Sequence, residues 1–173
     1  MVSWVKWSIN FTILSLLIVA LGVIYQQSAQ QKGVALNCSS ELFDHHAQGQ
    51  PDAKHYLLVD LFTTNGNAQV NYRYFNLDGS SVGSILMRGK VDKVDMNSQT
   101  YRISVHTKEE VEGQVGEAIP EHMKYLSYIS TLHLNEQGMH NLSVELLDID
   151  QTKDYAVVLF QPSNTVCGCR IMH

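Results

Sequence analysis

An uncharged apolar run near the start of the chain constrains the fold more than any other feature. Residues 8–25 read SINFTILSLLIVALGVIY and contain no charged side chain. At about 1.5 Å per residue, a helix of this length just crosses a hydrocarbon core of about 30 Å. Trp4 and Trp7 precede the run and Tyr25 closes it, which suits aromatic rings at the two headgroup levels of a bilayer. We predict a single transmembrane helix over 8–25, with these three aromatic residues at the membrane interfaces.

The charges around the run predict its orientation. Lys6 and the terminal amine lie on the short side, so the positive-inside rule leaves residues 1–7 in the cytoplasm and sends the rest of the chain outward. A cleaved signal peptide is the alternative, because it also combines a basic start with an apolar run. Small residues with cleavage spacing, Ala20 and Gly22, occur only inside the run, which favours an uncleaved anchor.

Length and charge limit what the remaining chain can be. A polar linker is predicted over 26–35, and residues 36–173 are enough for one domain with a single core. The whole chain has 12 Lys plus Arg against 17 Asp plus Glu, a net charge of -5. A nucleic-acid binder needs a basic face, so we predict no direct contact with DNA or RNA.

The outer domain has the pattern of β-strands joined by tight turns. Apolar residues recur at every second position, and Asn65-Gly66 and Asp78-Gly79 are hairpin signals because these residue types tolerate positive φ. Gly89 is expected to bend or bulge a long strand. The predicted strands are 55–64, 69–77, 82–95, 100–107, 128–135, 141–149 and 155–160, the last covered on both faces, with an exposed loop at 108–121 and a short helix over 120–126.

Seven or eight antiparallel strands need a way to avoid bare edges. A sheet that curls into a barrel achieves this, and a two-sheet sandwich is the alternative. The predicted fold class is therefore mainly β, an antiparallel meander that forms an open or closed barrel after one N-terminal transmembrane helix.

Three cysteines suggest a disulfide. An outer domain lies in an oxidising compartment, so a bond between Cys38 and either Cys167 or Cys169 is expected, joining the first strand to the end of the chain. The sequence does not choose between the two partners. The functional alternative is a dithiol redox centre at Cys167-Gly168-Cys169, which requires a lowered thiol pKa.

Neither catalysis nor metal binding is predicted. His45, His46 and His55 are expected to be solvated, because adjacent strand residues point to opposite faces and their spacing does not match a structural zinc site. His133 and His140 raise the number of histidines but do not indicate a metal site. No nucleophile elbow, metalloprotease motif or phosphate-binding loop is present in the sequence. We therefore expect no catalytic residue, no metal and no cofactor.

The layout resembles the FidL-like bacterial membrane proteins. The resemblance rests on a short start, one anchor, Cys38 a dozen residues beyond it, an Arg88-Gly89-Lys90 step and a closing strand, Phe160-Gln161-Pro162, that leads to Cys167. It spans nearly the whole chain. It implies a single-pass protein of the bacterial inner membrane with a periplasmic C-terminal domain, similar in plan to the VtrC, PsaF and ToxS accessory proteins.

The resemblance also implies a partner and a ligand. Such accessory proteins pair with a membrane-bound winged-helix transcription regulator, and in some members the two outer domains form a lipocalin-like barrel that admits a bile salt. By this likeness, apolar strand faces could line a cavity for a bile salt or another amphiphile. The candidate cavity residues are Leu57, Val59, Leu61, Tyr72, Tyr74, Tyr101, Ile103 and Val105.

Two functions from different classes follow. The first is a non-enzymatic co-regulator that pairs with a regulator's outer domain through an exposed edge strand, stabilising it or completing its sensory site. The second is a tethered carrier of lipid or small amphiphiles that acts alone. The first predicts an open or under-filled sheet, and the second predicts a complete closed barrel with its own cavity within this single chain.

Overall fold

The computed structural model describes residues 2–30, 33–44, 53–95, 98–113, 119–150 and 152–172. The chain divides into two compact units, Met1–Lys32 and Gly33–His173. The first contains one helix, and the second contains every described strand together with a second helix.

Helix α1, Val2–Gln30, forms the first unit. It continues through residues 26–30, the first part of the predicted linker over 26–35. Gln and Ala favour helix, and neither Gly nor Pro interrupts this segment. Trp4 and Trp7 are exposed, whereas the side chain of Tyr25 lies outside the described part of the chain. Among the described residues, no helix combines the length and the apolar character that crossing a membrane requires.

The second unit is a closed antiparallel barrel. Each strand pairs with the next along the chain, and β1 pairs with β8 to close the sheet. This confirms the mainly β antiparallel meander and selects the closed form over the open sheet and the sandwich. The strands are β1 Ala35–Asp44, β2 Ala53–Thr64, β3 Asn67–Asn76, β4 Ser81–Asp95, β5 Thr100–Glu112, β6 His140–Asp150, β7 Tyr155–Gln161 and β8 Thr165–Met172.

The hairpin signals are confirmed. Asn65 and Gly66 have φ angles of 50° and 76°, the two positive values that a tight turn between twisted strands requires. Gly79, in the next turn, has a φ of 85°. These turns set the register of β2, β3 and β4, which match the strands predicted over 55–95.

Gly89 marks a bulge, as predicted. The β4–β5 register shifts between Arg88 and Gly89. A Cβ atom at Gly89 would overlap the backbone oxygen of Ser104 on β5. The absence of a side chain therefore lets two backbones approach closely where β4 bends.

The segment between β5 and β6 differs from the prediction. The loop expected from 108 is strand as far as Glu112, and the strand expected over 128–135 belongs to helix α2, Glu121–Gln137. The helix begins after Pro120 and ends at Gly138 in the left-handed conformation. Its buried residues, Met123, Leu126 and Ser130, follow helical spacing, which the β-favouring Tyr, Ile and Thr residues concealed.

The end of the chain was also misassigned. Cys167 and Cys169 lie within β8, not after the last strand. Strand β7 was expected to be covered on both faces, yet its burial alternates, with Ala156, Val158 and Phe160 fully buried and the residues between them more exposed. A closed barrel explains this difference, because one face of each strand lines the interior and the other faces outward.

Candidate functional site

The predicted cavity residues lie mainly in the barrel interior. Tyr101 is only partly buried, whereas the other seven are at most 1% exposed and belong to one continuous core. Barrels of eight strands are often just wide enough for side chains to fill. The seven inward positions are Leu57, Val59, Leu61, Tyr72, Tyr74, Ile103 and Val105.

A disulfide joins the two strands that close the barrel. Cys38 on β1 bonds to Cys169 on β8, 131 residues away in sequence. The two residues are directly opposite each other in the β1–β8 ladder. The structure thus selects Cys169 from the two partners that the sequence left open, and Cys167 remains free and buried.

We expect Cys167 to resist alkylation. Burial raises the pKa of its thiol to about 12, so the reactive thiolate is scarce near neutral pH. Iodoacetamide at pH 8 should leave the folded chain unmodified for hours, and the same treatment in denaturant should modify Cys167 fully, as read by mass spectrometry. Rapid modification of the folded chain would contradict this and would revive the dithiol hypothesis.

The first turn of α2 covers one end of the barrel. Nδ1 of His122 lies 2.9 Å from the hydroxyl oxygen of Tyr74 on β3, and Nε2 lies 2.6 Å from Oγ1 of Thr165 on β8. Thr165 donates its own hydrogen to Ser163, so it accepts from Nε2–H, and Nδ1 accepts from Tyr74. The imidazole therefore bridges two strands that are not neighbours in the sheet. The sequence predictions did not include His122.

A second histidine contact fixes the other end of α2. Nδ1 of His133 lies 3.0 Å from Nδ1 of His140 on β6. His140 is fully buried, so a solvated position is excluded for it. Burial, with His133 and Lys108 nearby, lowers the pKa of His140 to about 4.

Acid should destabilise the barrel through His140. The unfolded chain takes up a proton there below about pH 6.5, but the folded chain does so only near pH 4, so the unfolded state binds more protons in this window. The free energy of unfolding should therefore fall, by at most about 3 kcal/mol, as the pH drops from 6.5 to 4. Urea unfolding at several pH values measures this loss.

His140→Gln should flatten that pH dependence. His106 is exposed on the adjacent strand β5, so His106→Gln provides the matched control and should leave the slope unchanged. An equal slope in the unaltered chain and in His140→Gln would show that other groups cause the loss.

The structure also shows a groove that the sequence did not predict. It has a volume of about 520 Å³ and lies on the outer face of β1, β2 and β3, beside the β3–β4 turn. Of the eight predicted cavity residues, Leu57 lines it. The full lining is Ser39, Ser40, Glu41, Tyr56, Leu57, Leu58, Phe75, Asn76, Leu77 and Gly79.

The groove is lined by large apolar side chains together with a few polar ones. Glu41 pairs with Tyr56 across β1 and β2, and Tyr56 pairs with Phe75 across β2 and β3, so these three outward side chains form one row. Leu58 and Leu77 extend the apolar surface. Volumes of about 300–1,000 Å³ with few polar groups are typical of small-molecule sites. One feature of the sequence could have indicated this groove. Large apolar residues occupy outward positions of β2, where the alternating pattern of a half-buried strand predicts polar residues.

Metal ligands are not clustered in the described part of the chain. No group of three His, Cys, Asp or Glu side chains there is arranged to hold a metal ion. His45 and His46 lie outside the described residues. His55 lies on β2 and is only 5% exposed, because it is at an inward position of the strand, so the expectation that it is solvated was wrong.

The sequence matches no protein-family model and no curated protein. The fold itself defines the class as an eight-stranded, closed antiparallel barrel with an internal disulfide.

Proposed function

We propose that this chain is a membrane-tethered, non-enzymatic binding protein whose barrel takes up a small amphiphile in the outer groove. The observation that carries the proposal is a groove of about 520 Å³ with aromatic and aliphatic walls on a barrel that closes within one chain. The self-sufficient binder predicts a complete barrel with its own cavity. The barrel is complete, and we propose that the groove on its outer face serves in place of that cavity. Pairing through an open sheet would instead require free edges.

The tether and the compartment follow from the sequence and from the cysteines. The uncharged run over 8–25 supports an anchor, with Trp4, Trp7 and Tyr25 at the interfaces. The Cys38–Cys169 bond supports an oxidising location, because such bonds persist outside the cytoplasm. These features, with the resemblance to FidL-like proteins, favour the bacterial inner membrane with the barrel in the periplasm.

Photolabelling of the full chain in lipid nanodiscs tests the binding proposal. The probe is a monoacylglycerol with a diazirine in its acyl chain, a neutral amphiphile. Irradiation should label the peptides that contain residues 39–41, 56–58 and 75–79, as located by mass spectrometry.

Two substitutions on β2 provide a matched pair for this experiment. Tyr56 lines the groove and is 42% exposed, and Phe62 is 49% exposed farther along the same strand. Tyr56→Ala should reduce groove labelling several-fold, and Phe62→Ala should not. If the two substitutions reduced labelling equally, the probe would be reacting with any exposed side chain, and the proposal would be overturned.

The second candidate is the co-regulator, and the β5 strand favours it. Strand β5 pairs with β6 only as far as Val105, yet it pairs with β4 as far as Glu112. Its last residues therefore have a strand on one side only, although Lys108 bonds to Ser127 and Thr131 of α2. Aromatic residues are enriched at protein interfaces, and Tyr128 on α2 is 67% exposed.

Cross-linking in membranes tests the co-regulator. A photo-crosslinking amino acid at Tyr128 should capture a membrane-bound winged-helix regulator, identified by mass spectrometry. The same residue at Tyr155, 46% exposed on β7, is the control. Capture of the regulator from Tyr155 alone, or from neither position while regulation is intact, would contradict the use of this surface.

A further inference from the structure

The charge of the groove defines the class of amphiphile that it accepts, an inference that depends on the proposed function. Glu41 supplies the ionised side chain among the described lining residues, where the remaining side chains are apolar, aromatic, hydroxyl or amide. Glu41 is exposed, and it forms no ion pair with a described residue. Its carboxylate is thus available to a ligand.

The aromatic residues lie next to this carboxylate. Glu41 is opposite Tyr56 in the β1–β2 ladder, and Tyr56 is opposite Phe75 in the β2–β3 ladder. Directly opposite side chains in antiparallel strands have Cβ atoms about 4.5–5.5 Å apart. Two aromatic side chains and one carboxylate therefore lie next to one another in a single row.

The basic residues on β2 and β3 nearest the groove are Lys54 and Arg73, and neither is among the residues that line it. Arg73, two residues before Phe75 on β3, donates to Asp60 over 2.7 Å, and Asp60 also accepts from Asn37 over 2.6 Å. This network lies toward the middle of the same outer face, and its charges are already paired. Among the residues that line the groove, the charge therefore comes from Glu41.

We propose that the groove selects amphiphiles with a cationic headgroup, such as a quaternary ammonium, and disfavours anionic ones. Ring faces attract cations, and the carboxylate adds a direct charge interaction. The apolar side chains Leu58 and Leu77 contact the tail. An anionic bile salt, which the family resemblance implies, would place a like charge beside Glu41.

Competition against the neutral photolabel tests the selectivity with the full chain in nanodiscs. The competitors are hexyltrimethylammonium, hexanol and hexanesulfonate, which share a tail and differ in charge. The cation should displace the label from the groove peptides at a roughly tenfold lower concentration than the sulfonate. Glu41→Gln should reduce this difference several-fold and leave the weaker attraction of the rings for the cation, and Asp148→Asn, at an exposed acid on β6, should leave it unchanged.

The outcomes separate this inference from the proposed function. Equal or better displacement by the sulfonate would overturn the selectivity while groove binding stands. Failure of the neutral label itself to mark the groove would overturn the binding function. A cation preference that is undiminished in Glu41→Gln would also refute the inference, because the preference would then arise elsewhere.

Discussion

Replacing Cys38 and Cys169 together by alanine is expected to lower the free energy of unfolding by about 2 to 5 kcal/mol. The bond closes a segment with a sequence separation of 131, for which the chain-entropy model gives about 5 kcal/mol as an upper bound. Both residues are buried, so the change also removes packing. Urea unfolding of the full chain, followed by near-ultraviolet circular dichroism of the buried tyrosines, measures the loss.

Cys167→Ala is the matched control for this experiment. Cys167 is buried on the same inward face of β8 but forms no bond. Its replacement should cost only about 1 kcal/mol, the usual effect of a single core substitution. Reduction of the unaltered chain should reproduce the loss seen in the double variant. A double variant within about 0.5 kcal/mol of the unaltered chain would show that the ladder, not the bond, holds β1 to β8.

Gly89→Ala is expected to destabilise the barrel by about 3 to 5 kcal/mol. The added methyl group would overlap the backbone oxygen of Ser104 and lie close to Val105, and backbone atoms in a paired strand cannot move aside cheaply. If those backbone atoms moved, the register shift between β4 and β5 at Arg88 and Gly89 would have to change as well. Urea unfolding again measures the effect.

Gly168→Ala provides the comparison, because its added methyl group meets a side chain. The nearest atom is the hydroxyl oxygen of Tyr155, at 2.6 Å, and Tyr155 is half exposed on β7. The phenol can swing outward, so the cost should stay below about 1 kcal/mol. Equal losses of unfolding free energy in Gly89→Ala and Gly168→Ala would show that the bulge does not depend on a close approach of two backbones at Gly89.

The sequence predicted the barrel where local signals agreed with one another. Between His55 and Asp95, alternation and the turn residues Asn65 and Gly66 point to the same register, and the structure has it. A period of two also predicted which side chains face the interior, because a closed sheet buries one face of every strand.

The misassigned regions lie where local preference and tertiary structure disagree. Residues 128–135 are rich in residues that favour strands, yet α2 forms because Met123, Leu126 and Ser130 can be buried together against the barrel. Strand β8 was missed because Gly168 interrupts a short run, and its pairing with β1 and β7 stabilises it from both sides. Such long-range pairing has no local signature.

The candidate site was predicted less well than the fold. The predicted cavity residues, such as Leu57 and Tyr74, face the barrel interior. The groove lies on the outer face, where three strands bring Glu41, Tyr56 and Phe75 into one row. Pairing register is needed to see this row, because the three residues are distant in sequence. Likewise, the contact between His133 and His140 depends on where α2 ends.

The pairing of β1 on both of its sides has a mechanical consequence. Force applied through the chain before β1 would act along the strand axis, and it would load the β1–β2 and β1–β8 ladders in shear at the same time. An edge strand peels one hydrogen bond after another, whereas a strand sheared between two neighbours must lose many at once. The disulfide at Cys38 adds a covalent link that thermal motion does not break, so a pull on the preceding chain should leave the barrel intact.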